Sequence, residues 1–359
     1  MIHPLGVISS PHGGGQVSSG DRQRDADARR FASRRWVVAA ALAPVAAGAA
    51  AGTALSSRAD AGESAGARRR KLIEPVPTTE ADWKGVAGAL GRAGNMMRGT
   101  VYHTGFPRRD LSVASHGVAV APALALGTHV GFVRYADGHT LMMGDVVVEE
   151  GELQQVTAAL QEHGIEQTAI HKHLLSQVPD VWWTHVHAHG GDPLVLARGL
   201  RAALDRTATP PPVPVEPSAR MDLDREGIDA ALEAKGYVED GIYKCLFVRR
   251  EQITDNGMVL PPGLGSTTAF NFQPLGGGRA ALNGDFAMVA KEVQSVLRAL
   301  TQGGVNVVEL HNHGLTDEPR LFFVHIWAVD DAVALARVLR GAVRLTNVVH
   351  AGDLPVAAM

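Results

Sequence analysis

The sequence predicts an α+β protein made of one unit written twice. Three observations carry this: a self-match at a spacing of 140 residues, a Pro-rich break between the matching stretches, and apolar periods that alternate inside each stretch. Shifting the chain by 140 places Gly144-Asp145 on Gly284-Asp285, Glu152 on Glu292, Gly164 on Gly304, His171 on His311, His173 on His313, Pro179 on Pro319 and His185 on His325. From 144 to 186, 13 of 43 positions are identical without a gap. With small changes of offset, Tyr102, Arg108 and Arg109 match Tyr243, Arg249 and Arg250, and Leu196-Ala197-Arg198 matches Leu335-Ala336-Arg337. The run Pro210 to Pro217 reads as a stiff linker.

Within the first copy, 130–135 and 141–148 read as strands. Residues 152–163 read as a helix with Leu153, Val156 and Leu160 on one face and Gly164 at its end. A strand over 165–174, a turn holding Pro179, a strand over 181–188 and a helix over 193–203 follow. The second copy repeats the series with a helix over 291–301, strands over 305–313 and 321–328, and a helix over 331–341. This order is a split-βαβ, ferredoxin-like unit with additional strands in front. The expected organisation is a signal region at 1–61, a linker at 62–75, repeats at 76–206 and 220–349, a Pro-rich linker at 207–219 and a tail at 350–359.

Residues 1–35 are polar and lack an apolar period. Arg34-Arg35 stands before a run from Val37 to Ser57 without a charged residue, and Ala59-Asp60-Ala61 offers small residues to a signal peptidase. Twin-arginine export with cleavage after Ala61 is expected, which places the protein outside the cell or in its envelope with no membrane span after cleavage. An uncleaved anchor is the alternative, since 21 uncharged residues can just cross a bilayer. The net charge of -3 gives no reason to bind nucleic acid. Cys245 is the single cysteine, so neither an internal disulfide nor a thiolate metal cluster can form, and any metal needs His and carboxylate ligands.

Sixteen His supply them. Side chains two apart on a strand share a face, so His171 and His173 point the same way. A turn centred near Val178 sets His185 opposite His171, with Cβ atoms about 4.5–5.5 Å apart. His311, His313 and His325 repeat the trio, and His187 extends the first set where the second has Trp327. Ile170, Trp182 and Val186, and likewise Leu310, Phe322 and Ile326, fall on the opposite, helix-covered face. The His faces then line a cleft between the copies. Three neutral imidazoles per ion suit Zn, Cu, Fe or Ni, and three protein ligands with an open position are a catalytic pattern. The competing reading has each His bonding backbone carbonyls.

Glu152 and Glu292, at the start of the helix before each His strand, are candidate general bases or further ligands. Asp145 and Asp285 read either as ligands or as turn residues that cap backbone N–H groups. Arg108-Arg109-Asp110 and Arg249-Arg250-Glu251 read as an anion site or a solvated ion-pair cluster. Gly276-Gly277-Gly278 reads as a hairpin turn, and Trp182, Trp183, Phe322 and Phe323 as core and cleft wall. No Gly-x-Ser-x-Gly elbow, phosphate-binding loop, dinucleotide fingerprint or His-Glu-x-x-His occurs.

Leu310-His311-Asn312-His313, followed by Pro319-Arg320-Leu321-Phe322-Phe323-Val324-His325-Ile326-Trp327-Ala328, resembles the LppY/LpqO family of actinobacterial envelope proteins. The resemblance runs over Ala81 to Asn347 and includes Asn271-Phe272-Gln273-Pro274 and Gly284-Asp285-Phe286. It implies an exported, duplicated architecture and no particular reaction. Two departures stand out: the lipid-modified Cys of lipoprotein members is absent, and Ile170-His171-Lys172-His173 replaces the usual Leu-His-Asn-His. The expected function is an exported transition-metal-dependent enzyme, a hydrolase or oxidoreductase acting on a small molecule or envelope component. A non-catalytic metal- or ligand-binding envelope protein is the alternative.

Overall fold

The computed structural model describes residues 71–213 and 221–354. The expected signal region and part of each flanking linker lie outside the described residues. The first copy contains α1 (Lys84–Leu90), β1 (Asn95–Met97), β2 (Val101–Pro107), β3 (Gly127–Arg134), β4 (Thr140–Glu149), α2 (Glu150–Glu162), β5 (Glu166–His171), β6 (Val181–Gly190) and α3 (Pro193–Leu204). The second contains α4 (Arg225–Leu232), β7 (Tyr237–Glu239), β8 (Ile242–Arg249), β9 (Thr267–Gly276), β10 (Arg279–Val289), α5 (Ala290–Gln302), β11 (Asn306–His311), β12 (Leu321–Asp331), α6 (Ala332–Val343) and β13 (Val348–His350).

The strand orders are β1-β2-β3-β4-β6-β5 and β7-β8-β9-β10-β12-β11, with β13 also paired to β8. Both β4 and β5 run antiparallel to β6, which lies between them, so α2 connects two parallel strands across an inserted third. β10, α5, β11 and β12 repeat this. The architecture is thus mixed α+β and internally duplicated.

Sequence dictates the helix ends. Glu152 and Glu292 reach back to accept from the N–H groups of Glu149 and Val289 at 2.9 and 3.0 Å, half of a capping box in each copy. Gly164 and Gly304, at φ 66° and 78°, stop the same helices in the left-handed region that glycine enters without a Cβ penalty. Asp192 and Asp331 cap α3 and α6 through the N–H groups of Leu194 and Ala334.

Alternation along the strands then sorts side chains into layers. Val146, Val148 and Val186 pack with Val156, Leu160 and Leu200 on the helix side of the first sheet. Phe286, Val324 and Ile326 do so with Val296, Leu300 and Leu339 in the second. On the other face, Leu141 and Met143 meet Ala287 and Phe323, while Val147 and Trp183 meet Ala281 and Trp327. The sheets therefore face each other, with helices outside both.

Four details differ from the expectations. The strand expected to run to Leu174 ends at His171, leaving His173 in the connection. Residues 71–75 are not a free linker: Ile73 bridges Met258 in the second copy and Pro75 bridges Tyr135 in the first. The tail from 350 is preceded by β13, whose His350 pairs with Phe247, so the second unit extends beyond 349. Part of the Pro-rich linker is tied to the first copy: the Ala208 N–H donates to Glu152 and the Pro210 carbonyl accepts from Arg92.

The Arg pairs were expected in solvent or at an anion site. Arg108 and Arg249 are instead buried, with side-chain exposures of 0% and 1%. Arg108 donates to Asp110, Glu152 and the Val147 carbonyl, and Arg249 to Glu251, Glu292 and the Ala287 carbonyl. Each guanidinium ties the end of β2 or β8 to a central strand and to the helix that follows it. Removing one partner of such a pair strands a buried charge. Glu292→Ala should lower unfolding free energy by about 3–5 kcal/mol, measured by urea denaturation. A loss under about 1 kcal/mol would mean that solvent already screens the pair.

Candidate metal centre

The inter-sheet layer is apolar at both ends and polar in the middle. β4 and β6 pair Asp145 with His185, and β10 and β12 pair Asp285 with His325. On the other side of each central strand, His171 lies opposite Trp183 and His311 opposite Phe323. This corrects the expected register: His185 faces Ala169, and His171 reaches it diagonally. The cause is the turn, which centres on Gln177 and not near Val178; a bulge between Gln167 and Ala169, repeated between Val307 and Glu309, shifts only the pairs farther from it.

The trios do not close within either half. His171 and His311 stack across the copies with ring centroids 4.2 Å apart and planes inclined by 13°. His173 approaches His325 at 3.8 Å and His313 approaches His185 at 4.0 Å, again across the copies. The closest nitrogen pairs are His171 Nε2 to His173 Nε2 at 3.0 Å and His185 Nε2 to His311 Nε2 at 3.3 Å. Donor atoms held at 2.0–2.1 Å from one tetrahedral ion lie about 3.3 Å from each other. Three overlapping groups thus have ligand atoms close enough to share an ion: His171, His311 and His325; His185, His311 and His313; and Asp145, His171 and His173.

Asp145 and Asp285 are corrected from turns to mid-strand carboxylates. Asp145 Oδ2 lies 3.0 Å from His173 Nε2, and Asp285 Oδ2 lies 3.4 Å from His313 Nε2. The preceding glycine serves the sheet: a Cβ on Gly144 would sit 2.4 Å from the His129 carbonyl oxygen of β3. Glu152 and Glu292 are corrected in the other direction. Their carboxylates are held by Arg108 and Arg249 and by the helix N-termini, and belong to that framework instead of the His layer.

Second partners orient the rings. The Nδ1–H groups of His185 and His325 donate to the carbonyls of Gly144 and Gly284 at 3.3 and 3.4 Å, which leaves each Nε2 lone pair directed inward. Trp183 stacks on His173 and Phe323 on His313, with planes inclined by 8° and 6°. Asn283 donates to the His173 carbonyl at 2.8 Å. Lys172 points away, to Asp180 and the face of Trp182. Ile170 and Leu310, expected under the helices, are 46% and 45% exposed.

Burial holds the imidazoles neutral. It pushes His173, His311 and His313 down to about 3, and His171, His185 and His325 well below the ordinary value, with neighbouring imidazoles adding to the effect on these last three. The same burial raises Asp145 and pushes Asp285 up to about 7. Neutral imidazole is the metal-ligating form.

Asp255 and His189 went unnoticed in the sequence. Asp255 Oδ2 accepts from His187 Nε2 at 2.6 Å and His189 Nε2 at 3.1 Å. Burial opposes the Asp255 charge, but hydrogen bonds from His187, His189 and Thr316 outweigh it and hold the carboxyl low. Alternation along 185–189 marks the two His, while Asp255 comes from the other copy and carries no local signal.

The lowered imidazoles fix a pH dependence. Unfolded, each takes a proton near 6.5; folded, His173, His311 and His313 do so near 3. The unfolded state binds more protons in that window, so stability falls as pH falls through it. The raised Asp145 and Asp285 work in the opposite sense but are outnumbered. Calorimetry of chelator-treated protein should give a lower Tm at about pH 4.5 than at about pH 7.5. An unchanged or higher Tm would mean that the rings are not desolvated.

Among solved structures, the chain is similar to a trimeric bacterial microcompartment shell protein, PduB, at 13% identity and TM-score 0.20, covering 73% of this chain and 97% of that one. EtuB from Clostridium kluyveri follows at 12% and 0.17, covering 70% and 90%. The fused permuted hexameric shell protein MSM0275 gives 12% and 0.17, covering 76% and 96%. Scores this low carry no argument about fold or function. No curated protein matches the chain by sequence. A family model described as Domain of Unknown Function (DUF1259) matches residues 84–206 and again 226–345, once per copy, and the chain belongs to that family.

Proposed function

We propose that this chain is a transition-metal-dependent oxidoreductase acting on a small molecule. One observation carries the reading: six imidazoles from two copies converge in a desolvated layer in which buried donor atoms, among them His311 Nδ1, His313 Nε2 and His325 Nε2, find no hydrogen-bond partner among the described residues. Buried polar atoms are ordinarily satisfied, so an unsatisfied set of lone pairs aimed at one region fits a cation. His171, His173, His185, His311, His313 and His325 would hold it, and imidazole suits Cu, Fe or Zn. A bound Cu or Fe supplies electron transfer, while Zn would supply only Lewis-acid chemistry.

The protein's part is to keep the rings neutral, fix their tautomers through Gly144 and Gly284, and limit access. With His171 at 0% exposure and His325 at 4%, the layer admits electrons and small molecules more readily than a bulky envelope component. That favours redox chemistry over hydrolysis of a polymer. A non-catalytic metal-binding protein is the second reading, favoured by the closure around Asp145 and His171. Export through Arg34-Arg35, kinship with the LppY/LpqO envelope proteins and a ferredoxin-like ancestry for each unit belong to the same proposal. The split arrangement of β4, β5 and β6 supports the last of these.

Elemental analysis of protein purified without a His tag tests it. Near-stoichiometric Cu or Fe, titrating reversibly between two redox states and diminished in a folded His311→Ala/His313→Ala variant, is expected. Zn alone would leave hydrolysis or carriage. Folded protein that holds no metal and gains no Tm from added Zn, Cu or Fe would overturn the metal reading altogether.

A further inference from the structure

We infer that the layer holds two transition-metal ions per chain at once, each gripped by the His-x-His of one copy and the strand histidine of the other. This rests on the reading of the layer as a metal centre. One ion belongs to His171, His173 and His325 with Asp145; the other to His311, His313 and His185 with Asp285.

Donor count comes first. Six imidazoles and two carboxylates face the layer, and a four-coordinate ion uses half of them. A single ion would leave the remainder buried and unsatisfied, at a cost for each group. The unpartnered atoms fall in both sets: His325 Nε2 and Asp145 Oδ1 in one, His313 Nε2 and Asp285 Oδ1 in the other.

Repetition of the geometry comes second. Adding 140 to each ligand position of the first copy gives its counterpart in the second, and the contacts recur in pairs. The ring centroids of His173 and His325 lie 3.8 Å apart and those of His313 and His185 4.0 Å apart. Asp145 meets His173 at 3.0 Å and Asp285 meets His313 at 3.4 Å. The tautomer-setting bonds of His185 and His325 agree to within 0.1 Å, at 3.3 and 3.4 Å. One ion on the axis between the copies would explain the stacked His171 and His311. It would not explain why each Asp and each His-x-His keeps its own outlying arrangement.

The two positions differ in exposure. The side chains of Asp285 and His313 are each 14% exposed, against 1% and 11% for Asp145 and His173, and His171 is at 0%. The ion on the second set is therefore the exchangeable one and the place where a substrate would meet the centre. The ion on the first set is the more enclosed.

Cobalt(II) titration of chelator-treated full-length protein, with bound metal counted after desalting, decides the matter. Two equivalents per chain are expected, falling to one in His173→Ala and to one in His313→Ala, with circular dichroism confirming that each variant is folded. A chelator should remove cobalt from the wild type in two phases, the fast phase being the one missing in His313→Ala. One equivalent in the wild type overturns the two-ion inference and leaves the metal reading standing. No bound cobalt overturns both. If either variant fails to fold, the wild-type count and its two-phase release still decide.

Discussion

The constraint that organises this molecule is the cost of removing six imidazoles and two carboxylates from water. Strand pairing could have turned those side chains outward with no change in backbone hydrogen bonding, because a strand offers both faces equally. They face inward, where His171 is fully buried and Asp145 nearly so. An interior of this kind stays folded only if its polar atoms find partners or its ionisable groups shed charge. Both occur: the imidazoles are neutral, and ring nitrogens of His185 and His325 are tied to carbonyls. The atoms left over are those best placed to share an ion.

The surrounding framework keeps that layer in register. Arg108 and Arg249 each lock a central strand to the end of a strand two places away and to the following helix, two residues beyond the Asp that enters the polar layer. Thr128 and Thr268 accept from the N–H groups of Val147 and Ala287 at the same places. These bonds are internal to each copy, whereas many of the imidazole contacts run between copies. The framework and the His layer thus use different parts of the duplicated pattern. Glu152 and Glu292 recur because the framework needs them, which is why recurrence alone misassigned them to the site.

Much of this was legible beforehand. The repeat, the alternation of strands and helices, and the shared face of His171 and His173 follow from spacing, and spacing survives folding. What was not legible has specific physical causes. The hairpin turns one residue earlier than Pro179 and its neighbours suggest, so the facing partner of His185 is Ala169 and not His171. Asp145 and Asp285 sit where strand propensity argues against Asp, so a turn was the better reading of the local signal. Asp255 meets His187 and His189 only through the packing of one copy on the other. Nothing in a one-dimensional pattern says that histidines of the two halves interleave.

That exchange bears on the history of the chain. A layer assembled from complementary faces of two like units is what a two-fold symmetric homodimer builds from a single short gene. Joined into one polypeptide, the halves no longer had to mutate together: Trp327 could stand where the first half keeps His187, and an acidic partner for that histidine could arise in the second half alone. Carried on one polypeptide, the left and right sides of such an assembly can specialise while neither can leave.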